Sequence, residues 1–276
     1  MTATDHHPLP DITLDVDLRN PGQFFACCGL LELASRLWPG SEGWFSGDGS
    51  RAAFHIVTHS GQNDPLGEIV RQLCETDKLV AIAEDERIKI QADRQPVILL
   101  PFDLRLDWWL DAYGEGDKSE LKVWAGQQTP AGKLNDLRDA WRSIRSGNAD
   151  TLEQPTKMLQ LRQPMKGRLG FDPTASWQAI DVGFSPDEQD VPVLTSPATE
   201  LLAAVGLQRC RPLAVEDKRR WFLYHAWRAP LGIAPAPAAV AGAGFTGPAF
   251  EFPVVMRNDR FGCFGWAQPL PDKEDQ

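Results

Sequence analysis

The chain has 276 residues, 42% hydrophobic and 24% charged, enough apolar material for one substantial core or two small ones and too much for a disordered polar chain. Its formal net charge of -10 argues against a uniformly basic nucleic-acid binder. The longest apolar run, Phe24 to Leu33, is too short to span a bilayer, the start MTATDHHPLPD lacks the pattern of a secretion signal, and five scattered cysteines (Cys27, Cys28, Cys74, Cys210, Cys263) form no CxxC pair, so a reduced cytoplasmic chain with no disulfide framework, zinc site or cofactor is expected.

In chain order, a capping residue followed by proline recurs at Asn20-Pro21, Asp64-Pro65, Thr129-Pro130, Asp172-Pro173 and Ser196-Pro197. The cap's side-chain oxygen takes an orphan amide of the first turn, and proline suits the position after it because its missing N–H would have no partner there. Helices are therefore predicted at about 21 to 37, 65 to 83, 130 to 146, 173 to 180 and 197 to 208. Period-2 or β-branched runs predict strands at 12 to 18, 52 to 58, 87 to 91, 96 to 100 and 121 to 124. EFPVVMRNDRFGCFGWA predicts a C-terminal β-hairpin with Asn258 and Asp259 at the turn. The segment 231 to 249, rich in Pro, Gly and Ala, reads as a flexible connector that a partner would order. The sum is an α+β fold with mixed or antiparallel sheets and about five capped helices, divided at most into an N-terminal region 1 to 150 and a C-terminal region 151 to 276. NPGQFFACCGLLEL and SPATELLAAVGLQR echo each other weakly, since helix-starting rules alone generate half of the similarity.

Candidates for chemistry are weak. Cys27 and Cys28 lie about 100° apart on a helix with no charge nearby in sequence to lower a thiol pKa, so they read as small core residues, and Gly29 as a point of close backbone approach. His55 and His59 in a strand lie roughly 13 Å apart, too far for one metal. His225 sits among aromatics, and Ser185 to Glu188 reads as a capping box. No catalytic residue, metal ligand or reaction is named by this pattern.

Charge distribution is more telling, because residues 1 to 100 carry 8 basic and 15 acidic side chains whereas 151 to 230 carry 10 and 9. QPTKMLQLRQPMKGRLGF holds Lys157, Arg162, Lys166 and Arg168 with no acid, in an open backbone suited to phosphate contact. A second cluster, Arg209, Arg211, Lys218, Arg219 and Arg220, leads into Trp221 and further aromatics on which bases can stack. A solvated basic face beside a strand is the plainer alternative for either cluster alone.

The stretches LRNPGQFFACCGLLELA, VWAGQQTP, GRLGFDPTASWQAIDVGFSP and SPATELLAAVGLQRCRP resemble, in that order along most of the chain, the third Csb family of large-subunit-like proteins from type I-U (I-G) CRISPR-Cas systems. The resemblance implies a non-catalytic subunit of an RNA-guided surveillance complex in antiviral defence. Its partners would be other complex subunits and guide RNA or target DNA, with no membrane. A CRISPR-linked nuclease or RNA-processing enzyme stays open as the alternative.

Overall fold

In a computed structural model, the structure describes residues 7–75, 79–81, 92–110, 119–124, 128–147, 155–165, 167–175, 192–244, 247–256 and 262–271. Four helices begin where capping chemistry places them: α1 at Pro21–Leu37, α2 at Pro65–Glu75, α3 at Pro130–Gly147 and α4 at Pro197–Arg209. The cap oxygens of Asn20, Asp64, Thr129 and Ser196 accept from the amides of Gln23, Gly67, Gly132 and Thr199 at 3.1, 2.8, 3.1 and 3.3 Å. Around 173 the chain turns helical, and the rest of the helix expected over 173 to 180 lies outside the described residues.

The fold is α+β with small antiparallel sheets. Strands β1 (Ile12–Val16), β2 (Glu42–Ser46) and β3 (Ala52–Val57) form the first sheet, with β3 between and antiparallel to the other two. Strand β1, helix α1 and strand β2 thus make a split βαβ unit. A three-stranded sheet joins β4 (Val80–Ala81), β5 (Val97–Leu99) and β6 (Leu104–Leu106), and β7 (Gln163–Met165) pairs with β8 (Val193–Thr195). The C-terminal sheet is built on β9 (Leu213–Ala214), β10 (Trp221–His225), β12 (Ala249–Met256), β13 (Gly262–Phe264) and β14 (Gln268–Pro269). Its β12–β13 ladder, Val254 opposite Phe264, is the expected hairpin, while Asn258 and Asp259 lie outside the described residues.

Three local expectations are corrected. Helix α2 stops at Glu75 rather than 83, because Val80 and Ala81 pair with Ile98 and Val97 across a sheet. Residues 121 to 124 make no strand: Leu121, Lys122, Val123 and Trp124 are all buried, and the Lys122 ammonium is held by Asp93 and by the Trp124 carbonyl, both at 2.7 Å. The supposed connector carries β11 (Leu231–Gly232), which extends the first sheet beside β2, and α5 (Ala236–Val240), whose Ala236, Ala239 and Val240 are fully buried. The chain itself supplies the surface that orders this segment. The strand expected at 87 to 91 and the capping box at 185 to 188 lie outside the described residues.

Helices α1 and α4 lie against each other at the centre, and one core takes side chains from both halves of the sequence. Phe24 of α1 stacks on Tyr224 of β10 at 4.3 Å and on Phe45 of β2 at 5.2 Å, so α1 is gripped by both major sheets. Trp108 packs against Trp109 and Trp124 and donates its indole N–H to the Ala204 carbonyl at 2.8 Å. Glu200, completely buried in α4, accepts from the amides of Leu169, Gly170, Phe171 and Asp172 at 2.8 to 3.1 Å. That cradle fixes the GRLGFD loop, the end of the basic segment, onto the helix pair.

Candidate nucleic-acid interface

Alternation along β1 buries Ile12, Leu14 and Val16 and leaves Thr13, Asp15 and Asp17 on the other face, where β3 places Ala53 and His55 and β2 places Ser46. The 3-10 turn Gly49–Arg51 sets Arg51 at the mouth of this face. A second 3-10 turn, Pro155–Gln160, approaches β1, where Gln160 Nε2 donates to the Asp15 carbonyl at 2.7 Å, and Thr199 of α4 holds the turn by donating to the Leu159 carbonyl at 2.8 Å. Arg162 follows directly. Trp266 also lines this space, its stretch of backbone anchored by the Ala267 N–H, which donates to the Arg19 carbonyl at 2.8 Å.

These parts enclose an open cleft of about 570 Å³. Among the described residues, Arg51 and Arg162 make no ion pair, and both are exposed. Asp17 accepts from Arg19 Nε and its second guanidinium nitrogen at 3.0 and 2.9 Å, which leaves Asp15 as the exposed acid of the wall. The cleft thus combines uncommitted guanidinium groups, an indole, and the Ser46, Ser50 and Gln23 side chains. Such a lining suits an anionic ligand with a flat, apolar part.

Ser46 belongs to a hydrogen-bonded row across the sheet. His55 Nε2 lies 2.7 Å from Ser46 Oγ and its Nδ1 lies 3.1 Å from Thr13 Oγ1. Burial, with a smaller contribution from nearby His7, holds the His55 pKa below its ordinary value, so the ring is neutral at pH 7. In the tautomer whose Nδ1–H donates to Thr13, Nε2 is free to accept from Ser46. Strand pairing that no local pattern announces brings these side chains together, which is why spacing along the sequence alone did not reveal them.

The ten residues singled out from the sequence fall in different places. Lys157 and Arg162 are exposed on the segment beside the cleft, Arg168 is half-buried near Glu200, and Lys166 lies outside the described residues. At the other end of α4, about 20 Å along a helix of 13 residues, Arg209 is bound to buried Glu32 at 2.6 Å and Arg211 is exposed. Lys218, Arg219 and Arg220 form the turn from β9 to β10, where Lys218 pairs with Glu251 at 2.6 Å and lies 4.9 Å over the Trp221 ring. Arg220 has φ 59 and gives its carbonyl to Val254 N–H, so it shapes the turn. The two basic clusters are therefore not merged along α4, and it is Arg51 and Trp266, which no sequence pattern marked, that join Arg162.

All five cysteines are buried, and burial pushes the Cys27 and Cys28 thiols well above their ordinary pKa. Among the described residues, no group of three His, Cys, Asp or Glu side chains could hold a metal ion, and no helix is long and apolar enough to cross a membrane. No family model matches the chain, and no curated protein or solved structure matches it.

Proposed function

We propose that the chain is a non-catalytic subunit of a type I CRISPR RNA-guided surveillance complex, serving antiviral defence in the cytoplasm by contacting guide RNA or target DNA together with the other subunits. The observation that supports nucleic-acid contact is the cleft, where Arg51 and Arg162 stand uncommitted beside Trp266 in an otherwise acidic molecule. Phosphate contacts position a strand without reading it, and a net charge of -10 disfavours indiscriminate binding elsewhere on the surface. The test is co-expression with the rest of its operon and purification by a tag on this chain. Stable recovery of partner subunits with bound RNA is expected; a chain that purifies alone and free of nucleic acid contradicts the reading.

A second reading, an RNA-processing enzyme or nuclease, is favoured by one observation, the neutral His55 imidazole 2.7 Å from the Ser46 hydroxyl at the cleft. A base so placed could take a proton from Ser46. RNA cleavage by the purified chain that disappears in Ser46→Ala and His55→Gln would favour this reading, and equal background in all three proteins would remove it.

A further inference from the structure

The cleft on the outer face of the first sheet has the size and lining of a small-molecule site as well as those of a strand track. We propose that it holds one nucleotide at a time, with the phosphate between Arg51 and Arg162 and the base against the indole of Trp266. This deepens the nucleic-acid reading and rests on it.

Four observations carry the assignment. The volume, about 570 Å³, falls in the range of sites that enclose a ligand of nucleotide size, roughly 300 to 1,000 Å³. A guanidinium fork matches phosphate geometry, and neither Arg51 nor Arg162 is paired with an acid among the described residues. Trp266 is half-buried in the lining, and the Ala267 backbone bond to Arg19 anchors its stretch of chain beside the cleft, so an indole is at hand for a base to stack on. Finally, the wall is not purely cationic: Asp15 is exposed in it and Asp17 is satisfied by Arg19. A bare anion gains from the arginines and loses to Asp15. A nucleotide keeps its phosphate at the arginine end and offers hydroxyl or amino donors to the acid, so the site selects the whole nucleotide over its phosphate alone.

The test uses the full chain and calorimetric titration at low salt with adenosine monophosphate, adenosine, inorganic phosphate and an eight-residue oligoadenylate. The monophosphate should bind at least ~10-fold more tightly than adenosine or phosphate, as one stacked base and one phosphate fork together require. Arg51→Ala, Arg162→Ala and Trp266→Ala should each weaken it by about 5-fold or more, while Trp266→Phe, which keeps a ring, should retain most of the affinity. Each variant is checked for an unchanged melting temperature. A monophosphate that binds no better than phosphate, or an undiminished affinity in folded Trp266→Ala, overturns the nucleotide site. Oligoadenylate binding that depends on Arg162 without monophosphate binding also overturns it, yet leaves strand contact standing. Monophosphate binding without oligonucleotide binding supports the site and removes strand contact.

Discussion

Glu32, only 2% exposed on α1, is held from both sides by Arg209 at 2.6 Å and Arg36 at 2.9 Å. Burial alone would raise its pKa, but the two guanidinium groups outweigh that effect and hold the carboxyl below its ordinary value. A lowered folded-state pKa stabilises the fold at pH above the unfolded value, about 4.3, and that contribution is lost as pH falls through the folded pKa. Glu200 works in the opposite sense, since burial raises its pKa despite four backbone donors, so a wild-type profile mixes the two. The difference between wild type and Glu32→Gln isolates the first. Urea unfolding should show that difference constant near neutrality and shrinking below about pH 4.3; a difference that grows on acidification contradicts the assignment. Glu200→Ala should destabilise by ~3 kcal/mol or more, because it leaves buried amides of residues 169 to 172 without an acceptor. Denaturant titration reads this directly. At the same scale the thiols of Cys27 and Cys28 should resist alkylation in the native protein, and Cys27→Ala should cost only about 1 kcal/mol.

At the scale of elements, the centre of the fold is the contact between α1 and α4. A Cβ on Gly29 would lie 2.0 Å from the Leu202 carbonyl oxygen, and one on Gly206 would lie 2.0 Å from that of Phe25. The contact is reciprocal in the way a two-fold pair is, with each glycine receiving the other helix's backbone. The echo between NPGQFFACCGLLEL and SPATELLAAVGLQR, weak as sequence, therefore corresponds to two helices that meet through matching positions. Gly29→Ala should lower stability by ~2 to 3 kcal/mol or more and the melting temperature by roughly 5 to 10 °C. An unchanged melting temperature would show that the helices do not approach so closely. The starts of these helices were legible because Asn20 and Ser196 act on amides three residues away. The end of α2 and the pairing of β11 with β2 were not, because Val80 and Leu231 take their conformation from strands far along the chain.

For the whole molecule, the same division governs the candidate site. Lys157 and Arg162 stood out as cations in a segment without acids, a local property. Arg51, Ser46 and Trp266 stood out only after β1, β2, β3 and the loop before β14 were assembled around one cleft, and His55, weighed from the sequence only as a metal ligand, met Ser46 by the same assembly. In the distant cluster from Arg209 to Trp221, Arg209 holds Glu32 and Lys218 holds Glu251, so those two charges are answered within the chain, whereas Arg211, Arg219 and Arg220 make no ion pair among the described residues. Arg209→Ala should accordingly change stability more than affinity for nucleic acid, as thermal unfolding compared with filter binding will show. The central claim, that the segment beside the cleft meets phosphates, is tested most directly by the salt dependence of binding by the assembled complex carrying Lys157→Ala together with Arg162→Ala. A phosphate that no longer meets a cation keeps its condensed counterions, so the slope of log affinity against log salt should fall by about 1.4 to 1.8 for the pair, with matched and mismatched targets weakened equally. A slope identical to wild type in an intact complex would contradict the claim and leave this segment to protein contact.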